Sequence, residues 1–523
     1  MRNLIIICII LITFSSILSA QTVNGDTLVV DHKKILRVWG THEERGYAYG
    51  FLMGEEIREV AEDYIIGFVF YNNSFLYENF RSYVADHFEI EEKYHLETEA
   101  IVAGIEDSGV DIYSSVLNRD LDAFDILCAN CIVDMSGMNM FAPGVEFGCS
   151  SLSSWGQSTL ADPDLSGALV ITRNMDWTTN QTLLNNHLMI INFPAEENEV
   201  PWISFTFSGM IGALSAVNQN GIAAFMNMGN IDTSGYEENL HPIFLSIRNG
   251  IEMNDYDDNQ VNDQSDVYQA IEDCLHLSGS IIHCTNAESG IVVECNNMMG
   301  TVLRDESDNS VIPQNNLAAT NHFRSLYDPA YCYRYNNISD SLNTDQDISV
   351  ERSWDLLSGA AGVTSNLHTI QYAPSLNLIK WSTAKPGHPA YTLPPTIFDT
   401  EELFAPVSLD ETEISIQEHI MRTYPNPFQS EVTISFNLSG ENKESTEITI
   451  YNMKGQKIRT LPCSLSGVEG SGVEGSGVEG SGIEANVTWN GKDDHDRQVQ
   501  TGIYLLKLSS NNIRKTHKIL FIK

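Results

Sequence analysis

At Gly148-Cys149 the hydrophobic period of the chain changes, and that change decides which fold classes are open to it. Before this point apolar residues recur as they do on one face of a helix. Ile57, Val60, Ala61, Tyr64, Ile65 and Phe68 follow the three, four and seven spacing. Amphipathic runs over Tyr94 to Ile105 and Leu121 to Val133 extend the helical reading across about Asp31 to Met140. From Cys149 to about Phe398 the pattern turns to strands joined by turns, as in ALVITRNMDW, HLMIINF and WISFTFSG. Asn220-Gly221 sits between two strand-like arms and predicts a hairpin. Helical stretches return at places such as Val267 to Leu277, so the pattern implies an α+β layered domain and not a regular βαβ alternation.

A third zone, from about Tyr424 to Lys523, reads as all-β. EVTISFNL, EITIYNM, ANVTWNG, GIYLLKL and HKILFIK predict the strands of a small sandwich. The tract from Ser466 to Glu484, SGVEG three times and then SGIE, cannot bury a core and is expected to loop out between those strands. The N-terminus, with Arg2, an apolar run from Leu4 to Ile12 and Ser19-Ala20-Gln21, has the form of a secretory signal peptide, residues 1–20. No later stretch reaches the roughly 18 apolar residues of a membrane helix, so the expected product is exported and soluble. Acidic residues outnumber basic ones by 70 to 29, and the net charge of -41 argues against nucleic acid as a partner.

Export makes disulfides permissible. Cys284 and Cys295 flank a strand-turn-strand pattern, and pairing across that hairpin stays open at this stage. Cys128 and Cys131 form a CxxC on a helical apolar stripe, which favours buried thiols or a local bridge over a metal or redox site. The loop Asp255, Asp257, Asn259, Val261, Asp263, Asp266 has calcium-loop spacing, but Gln260 replaces the glycine and Asp266 the bidentate glutamate, so it is read as a polar insertion.

The chemistry is concentrated at Phe147-Gly148-Cys149-Ser150. A glycine admits a neighbouring nucleophile to its carbonyl. The Cys149 thiol can attack Gly148, shift the acyl chain to sulfur and lose it to water. The new α-amine has an ordinary pKa of about 7.7–8.0, suited to a base, so nucleophile and base become one residue. A Gly-Cys dipeptide alone is also what a buried structural cysteine looks like.

Downstream, Gly167 to Trp177 forms a strand ending in Arg173-Asn174-Met175-Asp176-Trp177. With this segment the chain resembles the N-terminal-nucleophile (Ntn) hydrolases of the acyl-coenzyme A:6-aminopenicillanic acid acyltransferase and choloylglycine hydrolase kind. Thr41-His42 with Gly46, Gly50 and Gly54, the stretch Ser215 to Asn230, Thr320-Asn321-His322-Phe323 and Tyr333-Arg334-Tyr335 resemble further family segments, in family order over about Asp31 to Phe398. The resemblance implies a four-layer αββα core over 149–405, preceded by a helical pro-segment over 21–148 that is cut from it between Gly148 and Cys149. It also implies roles. Cys149 is the nucleophile, Arg173 favours its thiolate, and Asp176 holds the α-amine. Asn321 donates a side-chain N–H and Asn227 a backbone N–H to the oxyanion, and Arg334 completes the polar network or meets a substrate carboxylate. Phe147 and Ser150 depart from the Asp and Thr frequent in relatives, which bears on the rate and completeness of the cut. His322 invites a papain-like Cys-His reading, but a free α-amine makes a structural role the better expectation. The implied activity is hydrolysis of a linear amide through an acyl-thioester, or acyl transfer to an amine. A non-catalytic display protein on a degenerate version of the fold is the alternative, and no cofactor is implied.

Tyr424-Pro425-Asn426-Pro427-Phe428, Ile450-Tyr451-Asn452, Trp489-Asn490-Gly491 and Thr501-Gly502-Ile503-Tyr504 resemble the sorting domain of type IX secretion in Bacteroidetes-type bacteria. That resemblance implies a linker over 406–422, a β-sandwich over 423–523, the secretion machinery as a partner, and a secreted or surface location.

Overall fold

Thr41 opens the first long helix, His42–Glu59, through a reciprocal cap. Its hydroxyl accepts from Glu44 N–H and the Glu44 carboxylate accepts from Thr41 N–H. This computed structural model describes residues 22–135, 148–229, 238–308 and 311–406, and then 422–424, 428, 430–438, 447–452, 457–462, 483–494, 497–510 and 513–521. The expected signal peptide, Phe147, residues 407–421 of the expected linker and the SGVEG tract to 482 lie outside these residues. The chain divides into two units, Met1–Val407 and Ser408–Lys523.

The spaced glycines of the first helix are explained by close packing. A Cβ on Gly46 would lie 2.3 Å from the Glu97 carbonyl oxygen, and one on Gly50 would lie 1.9 Å from that of Ile101. The helix Glu92–Ser108 can therefore approach backbone to backbone. From Val60 to Val69 the helix widens into a π-helix and buries Val60, Tyr64, Ile65, Ile66 and Val69. The expected face holds at Ile57, Val60, Tyr64 and Ile65, while Ala61 and Phe68 are only partly buried because the wider turn rotates them away. Other helices are shorter than the periodicity predicts: Ala123–Asn130, and Gln264–Glu272 where Val267 to Leu277 was expected. Among the described residues no helix is long and apolar enough to cross a membrane.

The segment before Cys149 is not wholly helical. Gly25–Val30 and Lys33–Gly40 are strands, and the second pairs in parallel with His187–Pro194. Its apolar run, KILRVW, is too short to reveal its type by period. These strands extend a nine-stranded sheet in the order Gly25–Val30, Lys33–Gly40, His187–Pro194, Trp202–Phe207, Ser215–Asn218, Ala223–Met228, Ser280–Thr285, Gly290–Asn296, Gly300–Arg304. The predicted hairpin is present, with Gly221 at φ 91° between Ser215–Asn218 and Ala223–Met228. A six-stranded sheet runs Asn316–Ala319, Gly148–Ser154, Val170–Asp176, Asn366–Ala373, Leu378–Thr383, Thr396–Asp399.

One apolar cluster draws on both sheets: Ile35, Met189 and Phe205 meet Ile171, Ile370 and Trp381. A second joins Leu36, Leu188 and Ile190 to Ala48, Tyr49 and Ile101 of the helices. A third joins Leu152, Val170 and Ala318 to Tyr335, Ile338 and Leu357 of the helices Tyr333–Thr344 and Val350–Ala361. Alternation along each strand is what allows one strand to serve two clusters.

Cys284 and Cys295 do not face each other: Cys284 opposes Ile291 and Cys295 opposes Ser280, and both are free, buried thiols. Cys128 and Cys131 are likewise free and buried. In the acidic loop, Asp255, Asp257 and Asp266 bring ligand atoms within 4.8 Å of one another, and their oxygens accept backbone N–H groups from Tyr256, Asn259 and Gln260.

A buried charge network ties the segment before Cys149 to the residues after it. Arg248 Nη1 and Nη2 donate to the two Glu97 oxygens at 2.9 and 2.7 Å, and its Nε donates to Glu252 at 2.7 Å. His42 meets Glu97 at 2.6 Å and Glu199 at 2.9 Å. Lys93 meets Glu252 at 2.7 Å, and Arg45 meets Glu196 at 2.8 Å. His42, Arg45, Lys93 and Glu97 come from one side of the Gly148-Cys149 bond; Glu196, Glu199, Arg248 and Glu252 come from the other.

The second unit holds a three-stranded sheet and a four-stranded sheet. Phe428, Val432, Ile434 and Trp489 share one cluster with Ile448, Ile450, Leu506 and Ile519 of the other sheet. The strand Ile483–Trp489 begins inside the last SGIE repeat, so Ile483 and Glu484 of the low-complexity tract belong to a strand and not to the expected loop.

Candidate active site

GCSSLSS forms the strand Gly148–Ser154, and alternation sends Cys149, Ser151 and Ser153 to one face. Ser151 and Ser153 hydroxyls bond the two ring nitrogens of His283, both at 2.8 Å, linking this strand to the other sheet. The neighbouring strand Val170–Asp176 sets Gly148 opposite Asp176 and Ser151 opposite Arg173. This register brings residues about 25 positions apart to one place.

Cys149 is 6% exposed. Its backbone N–H donates to Asn321 Oδ1 at 2.7 Å, and its carbonyl accepts from Arg334 Nη1 at 2.8 Å. Arg334 also donates to Asn321 Oδ1 at 2.5 Å and to Asp176 Oδ2 at 3.3 Å. Arg173 Nη2 lies 3.7 Å from Cys149 Sγ and donates to the Met226 carbonyl. A Cβ on Gly148 would stand 3.2 Å from Arg334 Nη1 and 3.3 Å from Asp176 Oδ2, so a side chain there would press on both.

The remaining two expected residues lie alongside. Asn321 Nδ2 donates to the Met228 carbonyl at 2.8 Å. Asn227 opposes Ile281 across the ladder, and alternation sets its side chain on the same face of the strand as Phe225, whose ring lies 5.9 Å from the Arg173 guanidinium. Both polar atoms of the Asn227 amide are buried without a partner among the described residues. Reading the sequence called on the Asn227 backbone; the unsatisfied group is its side chain. His322 is half-buried, and burial with Arg324 and Arg334 nearby lowers its pKa.

Reading the sequence missed Asn366 and His368. Asn366 Nδ2 donates to Asp176 Oδ1 at 3.0 Å, and His368 Nε2 lies 3.5 Å from Arg173 Nη1. A bulge between them, where Asn366 opposes Asp176 and His368 opposes Met175, brings both to the site. The only available signal was polar residues in an apolar strand, NLHTIQYA.

Burial pushes the Cys149 thiol up, and Arg173 opposes it. Burial raises Asp176 to about 7 against Arg334 and Asn366. An unfolded aspartate loses its proton near pH 4, whereas folded Asp176 keeps its proton to about 7, so the fold loses stability as pH rises through that interval. Asp176→Asn is expected to flatten this dependence, by several degrees in thermal midpoint at neutral pH, in calorimetric scans from pH 4 to 7.

Cys149 lines a small cavity of about 50 Å³ together with Tyr64, Ile65, Trp177, Leu214, Met226 and Phe244 among others. Trp177 Nε1 donates to the Tyr64 hydroxyl, joining the π-helix to the end of the Arg173 strand. The lining is apolar nearly throughout.

Comparison with known proteins adds the following. Residues 422–469 match the secretion system C-terminal sorting domain. Protein dcd1B of Dictyostelium discoideum is 24% identical over 220 residues, 38% of this chain and 40% of that protein. The chain thus spans less than half of that relative's length. Among solved structures, the Caenorhabditis elegans ortholog of N-acylethanolamine-hydrolyzing acid amidase is similar at 13% identity and TM-score 0.32, over 48% of this chain and 100% of that one. A mutant of the conjugated bile acid hydrolase of Clostridium perfringens is similar at 10% identity and TM-score 0.32, over 49% of this chain and 94% of that one.

Proposed function

We propose that this chain is an exported Ntn amide hydrolase that cuts itself between Gly148 and Cys149 and then acylates the freed Cys149. The observation that carries the reading is the convergence of Arg173, Arg334, Asn321 and Asp176 on one buried cysteine that lines an apolar cavity. The two sheets sharing a core, with helices on both outer faces, are read as the four-layer αββα core. The two sheets of the second unit are read as the sandwich of the sorting domain, which addresses the chain to type IX secretion and hence to the medium or the cell surface.

In the self-cleavage step, Cys149 Sγ attacks the Gly148 carbonyl carbon, the C–N bond breaks, and the acyl group passes to sulfur. Water then hydrolyses the thioester, leaving the Gly148 carboxylate and the Cys149 α-amine. In turnover the α-amine takes the thiol proton as sulfur attacks the substrate amide, and returns it to the departing amine. Asp176 and Asn321, whose oxygen already meets the Cys149 nitrogen, hold that amine, and the free Asn321 N–H faces the oxyanion together with Asn227. Arg173 lowers the cost of the thiolate.

The apolar cavity suits the acyl side of the amide, so the substrate class is an amide of an apolar acid. Each methylene buried is worth about 0.8 kcal/mol. The value of kcat/KM is expected to rise about fourfold per methylene in a series of straight-chain amides until the cavity is full. Leu214→Trp is expected to abolish that rise while leaving the shortest substrate unchanged. Intact-mass analysis of the purified chain combined with this series tests the whole reading; an uncut, inactive chain with a sound fold would favour the display protein.

A further inference from the structure

Arg173 is fully buried, and among the described residues no carboxylate is ion-paired with it. The groups in contact with it are neutral: the Met226 carbonyl, the Cys149 sulfur, the Phe225 ring and His368, while Asp176 acts on it from beyond ion-pairing distance. A buried cation without a counter-ion is costly, and a protein ordinarily supplies a carboxylate. Here an imidazole stands where the carboxylate would.

The hydrogen-bond pattern fixes the tautomers. A guanidinium can only donate, so His368 Nε2 accepts from Arg173 Nη1 at 3.5 Å. The Ser215 hydroxyl reaches the same nitrogen at 3.2 Å. The His368 proton therefore sits on Nδ1 and points to His187 Nε2 at 3.3 Å. His187 in turn carries its proton on Nδ1, which is buried without a partner. Both rings are neutral: burial takes His187 down to about 3, and burial with Arg173 and His187 takes His368 well below the ordinary value.

We propose that His368 is a positioning residue, a neutral acceptor that fixes the Arg173 guanidinium against Cys149 Sγ without cancelling its charge. A carboxylate in its place would pair with Arg173 and withdraw the field from the sulfur. With a neutral acceptor the thiolate is the counter-ion that the buried guanidinium lacks, so the positive charge acts on the nucleophile. The inference rests on Cys149 being the nucleophile but concerns its thiol, which can be read without turnover. The other ionisable groups around this cluster are Arg334 and Asp176 near Cys149, and Lys33, which acts on His187.

The test is the pH profile of Cys149 alkylation by iodoacetamide in the full chain. Modification is located by peptide mass spectrometry, the state of the 148–149 bond is recorded by intact mass, and folding is checked by thermal unfolding. His368→Gln, which keeps a neutral acceptor, is expected to reproduce the parent profile. His368→Glu is expected to move the profile up by about one pH unit and slow alkylation at neutral pH about tenfold. His368→Leu, which frees Arg173, is expected to slow it as well. A folded Glu variant with the parent profile overturns the proposal. So does a Leu variant with the parent profile, which decides the matter if the Glu variant does not fold. Failure of the hydrolase reading would appear separately, as an uncut chain or absent turnover whatever the alkylation profile.

Discussion

Cys149→Ala is expected to yield a single uncut chain and to lower amide turnover by roughly 10⁴- to 10⁶-fold, the range over which removal of a nucleophile costs an enzyme its covalent route. The thiol stands in both steps. Without it no N-to-S shift opens the Gly148 bond, and no α-amine is created to act as base. Cys149 is one lining residue among many apolar ones, so binding of an apolar acyl ligand is expected to survive, with the loss falling on kcat. Intact mass, turnover of a straight-chain amide and calorimetric binding of the free acid check the three parts. Turnover by the alanine variant, or turnover by parent protein still intact across Gly148-Cys149, would overturn the mechanism.

Arg248→Met is expected to destabilise the first unit by about 3–5 kcal/mol, the cost of breaking a buried ion pair from one side. Arg248 is buried, stacks on Tyr94 with 4.8 Å to the ring centre, and satisfies Glu97 and Glu252 together. Its loss leaves two buried carboxylates with only His42 on Glu97 and Lys93 and Tyr94 on Glu252. Burial alone would raise the Glu97 pKa, but Arg248 and His42 bring it down to about 2, and Glu252 is likewise held well below its ordinary value. Depressed carboxylates stabilise the fold above their unfolded pKa and lose that contribution as pH falls through the folded one. His42 has the opposite sign: burial lowers its pKa, yet Glu199 and Glu97 hold it above the ordinary value. Its contribution is present below about pH 6.5 and fades as pH rises. The network is therefore strongest in mildly acidic solution. Denaturant unfolding of the parent and Arg248→Met at pH 3, 5.5 and 8 is expected to show the largest difference at 5.5. Because the network joins residues on both sides of Gly148-Cys149, the same variant is expected to release the N-terminal segment from cut protein on size exclusion.

Much of this architecture is visible in residue patterns. Ile57, Val60, Tyr64 and Ile65 are buried on the face their spacing predicts, and the Asn220-Gly221 hairpin lies where its turn chemistry predicts. The failures share one cause. The strand Lys33–Gly40 is short and pairs with a partner about 150 residues away, so no local period marks it. Cys284 and Cys295 look opposed on the page, but a strand register, and not proximity in sequence, decides which residues face one another.

Local chemistry, carried in the order of residues, is enough to nominate Cys149 beside a glycine, to mark the change of period there, and to set the low-complexity tract apart from the strands on either side of it. What it leaves undetermined is the company the cysteine keeps. Arg173 reaches the sulfur through strand register, Arg334 and Asn321 through helix and loop placement, and His368 through a bulge that displaces one residue. The charge of a thiol depends on groups within a few ångströms, and those groups come from segments up to about 220 residues away, so only the folded chain sets it.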